Sequence, residues 1–91
     1  MTNLNKLYTS YDVNTPKERE VLKDLLTKYL PKEYTAIVIS KLKAKHYEVD
    51  SQTVRNTKCG LTKNIVIFNT IVEIAREYKS ITLKLKENLK E

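Results

Sequence analysis

Apolar residues recur along this chain at intervals of three and four, the spacing that lays one stripe along an α-helix. The first such stripe is Val21, Leu22, Leu25, Leu26, Tyr29 and Leu30. It is opened by Thr15-Pro16-Lys17-Glu18, a threonine N-cap, a proline at the first helical position and a glutamate placed to complete a capping box. The Leu30-Pro31 pair closes it, because the residue before a proline is driven out of the helical region. A helix from Pro16 to that break is therefore predicted.

Pro31 also suits the first turn of a second helix, in which Tyr34, Ile37, Val38 and Leu42, with Ile39 beside them, face inward. Lys41, Lys43 and Lys45 face outward, and this helix is expected to run to about Ala44. Residues 45–50 carry no period and lead into Asp50-Ser51, either of which can cap a third, short helix over about 51–58. Gly60, the only glycine, stands where a left-handed C-cap is wanted. Thr62 is expected to cap the last helix, whose stripe is Ile65, Phe68, Ile71, Val72, Ala75 and Tyr78.

Beyond Tyr78, Ile81, Leu83 and Leu85 alternate as in a strand, yet Ile74, Tyr78, Ile81 and Leu85 continue the helical spacing. No glycine or proline interrupts this stretch and no second strand exists to pair with it, so the helix is expected to continue. Before the first stripe, residues 1–14 are polar with isolated Leu4, Leu7, Tyr8 and Tyr11, a three-four spacing that permits a short helical turn, and read as an N-terminal arm. The predicted architecture is all-α: an arm over 1–14, then a small helical domain over 15–91 with a helix-turn-helix and a long C-terminal helix.

A chain of 91 residues is one folding unit, since either half would be too small to bury a self-sufficient core. Hydrophobic and charged fractions of 41% and 31% argue against wholesale disorder. Seventeen Lys and Arg against eleven Asp and Glu leave a formal charge of +6, which favours a polyanionic partner. No apolar run approaches the roughly 18 residues that span a bilayer, and the first residues lack the apolar stretch of a secretory signal, so a cytoplasmic location is expected. Cys59 stands alone, which excludes an internal disulfide and a cysteine-based zinc site. Lone His46 has no ligand partners nearby and reads as a surface or phosphate-facing imidazole. With no glycine-rich phosphate loop and no nucleophile–base pairing, the chain is expected to be neither an enzyme nor a carrier of metal or cofactor.

Two short helices joined by a turn, the second opening with small polar and basic residues, is the arrangement by which one helix enters a major groove while its neighbour braces it. The run Leu30-Pro31-Lys32-Glu33-Tyr34, then Val49-Asp50-Ser51-Gln52-Thr53-Val54-Arg55-Asn56, then a Lys-Asn-Ile opening to a long helix, resembles the small helix-turn-helix transcriptional regulators of bacteria and phages, of the lambda-repressor-like class. The likeness covers about residues 30–78, and departs from the pattern in its turn, where 45–50 replaces a tighter connection containing glycine.

The resemblance implies sequence-specific binding of double-stranded DNA by the third helix. Val54 is its apolar anchor, which leaves Gln52, Arg55 and Asn56 for base edges, the first two foremost. Phosphates are expected to be met by Ser51, Thr53 and Lys58 on that helix, by Tyr34 and Thr35 at the start of the helix before it, by Lys45 and His46 (with Tyr47) in the turn, and by Lys63 and Asn64 at the start of the last helix. A homodimer on a palindromic site is expected, joined by a seam of Ile74, Tyr78, Ile81, Leu85 and Leu89, with packing against the first helix or the arm the alternative for Ile71 and Ile74. Two other readings stand beside this one: a protein-binding module that grips its partner with the C-terminal helix and has no DNA role, and an RNA-binding protein using the same basic face.

Overall fold

Side-chain oxygens start four of the five helices. In the computed structural model, which describes residues 2–90, Asn3 caps α1 (Leu4–Ser10), Thr15 caps α2 (Pro16–Asp24), Asp50 caps α4 (Ser51–Cys59) and Asn64 caps α5 (Ile65–Asn88). Each accepts from the backbone N–H three residues on, an interaction worth about 1 kcal/mol at a helix start. Only α3 (Tyr34–Lys43) begins without one, at Glu33. The described residues contain no strand, so the all-α expectation holds, and the ambiguous stretch beyond Tyr78 is helix through Asn88. Met1 and Glu91, the outer ends of the expected arm and domain, lie outside the described residues.

Thr15 and Glu18 form the predicted box in a variant way: the Glu18 N–H donates to the Thr15 hydroxyl oxygen at 3.1 Å, and that hydroxyl donates to the Glu18 carboxylate at 2.9 Å. After Asp24 the helix widens into a π-helical segment, Leu25–Tyr29, closed by the Leu30 N–H donating to the Leu25 carbonyl. Leu30 then turns to extended backbone (φ −71°, ψ 122°) ahead of Pro31, as the sequence required. Pro31 itself stands outside α3, which starts three residues later than expected, because the Tyr34 N–H donates to the Pro31 carbonyl in a turn that precedes the helix. The cap of α5 is likewise Asn64 and not Thr62, since the Schellman turn after α4 uses the N–H groups of Leu61 and Thr62 on the Asn56 carbonyl.

Residues 2–14 are not a free arm but pack into the domain. Leu7 is fully buried and Tyr8 nearly so, both within the one hydrophobic core that also holds Leu22, Leu26, Val38, Leu42, Val54, Ile67, Phe68, Ile71 and Ile74. The three-four spacing of Leu4, Leu7, Tyr8 and Tyr11 is a genuine helix stripe whose cover is supplied by distant parts of the chain. Tyr11 stacks flat on Phe68 of α5 at 4.1 Å between ring centroids. The Tyr8 hydroxyl donates to the Arg19 carbonyl, and the Arg19 guanidinium, 5.2 Å above the Tyr8 ring, donates to the Val13 carbonyl, which fastens α1 to α2.

Ile67, Ile71 and Ile74 of α5 form the central wall against which the shorter helices lie. Lower on α5, the Lys79 ammonium sits 5.6 Å above the Tyr29 ring and 3.9 Å from the Asp24 carboxylate, holding the π-helical segment to this wall. No helix is long and apolar enough to cross a membrane among the described residues.

Candidate nucleic-acid interface

The interface expected from the sequence is built on α4, and what makes it rigid is how both of its ends are finished. Asp50 accepts from the Thr53 N–H at 2.8 Å, and Gly60, at φ +90°, ends the helix in a Schellman turn with the Leu61 N–H donating to the Asn56 carbonyl at 2.9 Å. The Asn3 N–H donates to the Cys59 carbonyl, so the last turn of α4 is also held by the chain's N-terminal helix cap. Val54 and Thr57 are fully buried, the Thr57 hydroxyl donating to the Thr53 carbonyl at 2.8 Å, so α4 has a fixed inner face.

The three residues assigned to base edges lie together on its outer side. Gln52 and Arg55 are exposed and Asn56 half-buried. The Gln52 side-chain amide donates to the Asn56 side-chain oxygen Oδ1 at 2.9 Å, while the Arg55 guanidinium donates to the Gln52 side-chain oxygen Oε1 at 3.3 Å. One turn of helix thus presents a connected row of a guanidinium and two carboxamides, the side-chain types whose paired donors and acceptors match guanine and adenine edges.

The residues assigned to phosphate fall into separate groups. Tyr34, half-buried at the start of α3, faces the last turn of α4, with the Lys58 ammonium 5.8 Å from its ring centre. Burial, and secondarily Cys59, push the Tyr34 phenol above its ordinary pKa, while Arg55 opposes them. A second group forms where the turn meets α5: the Asn64 side-chain amide donates to the Tyr47 hydroxyl at 3.1 Å, and Lys45 borders the same depression as Ile65, Val66 and Asn69. Thr35 and Ser51 are half-buried, and Lys63 is exposed in the loop before α5.

Two of the residues assigned to phosphate are engaged within the fold. Asn64 has its oxygen on the Ile67 N–H, its side-chain amide on Tyr47 and its backbone N–H on the Tyr11 hydroxyl, so its polar groups serve the fold. Thr53 is drawn into the cap of its own helix: its hydroxyl first, and its N–H second, hold the Asp50 carboxyl below the ordinary carboxylate range. In the seam assigned to dimerisation, Ile74 is fully buried inside its own chain and has no surface to offer a second copy. Tyr78 is half-buried, whereas Ile81, Leu85 and Leu89 are exposed.

The turn between α3 and α4 is ordered by backbone, not by glycine. The Tyr47 N–H donates to the Leu42 carbonyl at 2.9 Å and the His46 N–H to the Lys43 carbonyl at 3.0 Å, a second Schellman turn in which His46 takes the left-handed position at φ +62°. His46 therefore sets the path of the chain into α4, a role that its residue type did not signal. The charge is concentrated in the same part of the molecule: between Tyr34 and Asn64 stand Lys41, Lys43, Lys45, Arg55, Lys58 and Lys63 against only Glu48 and Asp50. Lys41 is spent on Glu77 of α5 at 3.0 Å.

Comparisons with protein-family models, with curated proteins and with solved structures return no match for this chain. Among the described residues, no group of three or more His, Cys, Asp or Glu is placed to hold a metal ion.

Proposed function

We propose that this protein binds double-stranded DNA through the outer face of α4 and acts as a small helix-turn-helix regulator of transcription. The observation that carries the reading is the row Arg55–Gln52–Asn56 on a helix whose opposite face is fixed by Val54 and Thr57. A base-reading row gains from being held in place before binding, because side chains already ordered lose less freedom on contact. On a duplex, the mutual hydrogen bonds of the row exchange for bonds to base edges, Arg55 toward guanine and Gln52 or Asn56 toward adenine. Lys45, Lys58 and Lys63, with His46 and Ser51, supply the phosphate contacts that fix register. Such a role belongs where the genome is, in the cytoplasm of a bacterial cell.

Selection of bound sequences from a random duplex pool tests this directly. The expected result is an enriched consensus whose preference is lost with Arg55→Ala or Gln52→Ala, and the recovered sites report whether half-sites occur singly or in pairs. Equal binding of scrambled duplexes at moderate salt, by the unaltered protein, would overturn it.

A further inference from the structure

The inner stripe of α5 outlasts the domain it serves. Ile67, Ile71 and Ile74 are 0–1% exposed and Tyr78 half-buried, yet Ile81, Leu85 and Leu89, next on the same face, are 63%, 56% and 71% exposed. Helical spacing places Lys84 on one flank of this bare stretch and Lys86 on the other. Neither is in an ion pair among the described residues, and the single acid of the stretch, Glu87, lies on the far side and pairs with Lys90 at 3.3 Å.

We propose that the end of α5 is a docking seam for an acidic amphipathic helix of another protein, with Ile81, Leu85 and Leu89 taking its apolar stripe and Lys84 and Lys86 its flanking carboxylates. Charge decides against a second copy of this chain as the occupant. Pairing two such ends in either direction sets lysine flanks against lysine flanks, with Glu87 turned away from the contact. The bare seam is also short, about 12 Å from Ile81 to Leu89 at the helical rise, and so offers far less than the roughly 800 Å² per partner of a standard interface. An acidic partner adds Coulomb attraction where apolar area alone falls short, and that attraction fades with salt.

The test titrates the full chain into a labelled, designed peptide of about four helical turns with leucines at three-four spacing and glutamates on both flanks, and into the same peptide with lysines replacing the glutamates. The acidic peptide should bind and the basic one should not. Lys84→Glu with Lys86→Glu should weaken the acidic peptide roughly tenfold or more and create binding of the basic one. Ile81→Ser with Leu85→Ser should abolish both. All four side chains are exposed, and circular dichroism confirms that the fold is kept. Indifference to peptide charge would overturn the proposal. So would sedimentation of the protein as a dimer that Ile81→Ser with Leu85→Ser dissociates, or binding to phosphatidylserine vesicles with none to either peptide. The seam does not depend on the DNA reading: Arg55→Ala should leave peptide binding intact, and the lysine reversals should leave base preference intact, so either can fail alone.

Discussion

The backbone N–H of Asn3 donates to the carbonyl of Cys59 at 3.2 Å, joining the cap of the first helix to the final turn of the fourth. That carbonyl belongs to a helix end, where the last C=O groups have no partner within the helix, so α1 completes what α4 leaves open. Together with buried Leu7, this contact makes the N-terminal segment part of the platform that holds the proposed reading helix.

Leu7→Ala should therefore behave as a core truncation and not as a change in a tail. A loss of about 2–4 kcal/mol in unfolding free energy is expected from a large-to-small change at a fully buried leucine. Urea unfolding followed by circular dichroism measures it, and a loss below 0.5 kcal/mol, typical of surface sites, would show that α1 does not belong to the core.

The two Schellman turns around α4 make opposite predictions. Gly60→Ala should cost about 1 kcal/mol, because φ +90° is strained for any residue with a Cβ. Space is not the cause, as that Cβ would meet the Asn3 carbonyl oxygen and the Lys6 side chain no closer than 3.6 Å. At His46 the reverse change, His46→Gly, should relieve strain and stabilise by up to about 1 kcal/mol. Thermal denaturation of the two variants side by side gives both signs.

Asp50 carries an acid dependence. Its folded-state pKa lies below the unfolded value, so its stabilising contribution is present above the ordinary carboxylate range and is lost as pH falls through the depressed folded value. Hydrogen exchange of the first-turn amides of α4 should accelerate, relative to the other helices, as the medium is acidified through that range. Asp50→Asn keeps a capping oxygen without a titrating group and should flatten the profile.

On DNA, Arg55→Ala and Lys45→Ala should fail differently. Loss of Arg55 should cost about 1–3 kcal/mol on the selected site and little on scrambled duplex. Loss of Lys45 should weaken both alike and reduce the slope of log K against log salt by about 1. Fluorescence anisotropy at several salt concentrations distinguishes the two patterns.

Much of this is legible in the sequence. Thr15 with Glu18, Asp50 beside Ser51, and the solitary Gly60 are local signals with local causes, and each marks a helix end where the sequence placed it. What eluded reading was what covers what. Leu4, Leu7, Tyr8 and Tyr11 have helical spacing, but a stripe does not name its partner, and theirs lies as far away as Phe68. By the same gap, the sequence leaves open whether Ile74 meets a second copy or its own chain, and it is its own chain that encloses it. Asn64 displaced Thr62 as a cap because the preceding Schellman turn decides where α5 can begin. The clustering of Gln52, Arg55 and Asn56 was readable from helical geometry, whereas their mutual hydrogen bonds depend on side-chain rotamers.

The central wall formed by Ile67, Ile71 and Ile74 also sets an order of events during synthesis. Leu7, Leu22, Val38, Leu42 and Val54 are all translated before the surface that shields them from water. While the ribosome is still short of residue 65, the earlier helices can touch one another but lack the wall that completes their core, and a nascent chain arrested there should be cut readily by protease. Release of the isoleucine-bearing stretch then lets the whole unit close in one late step.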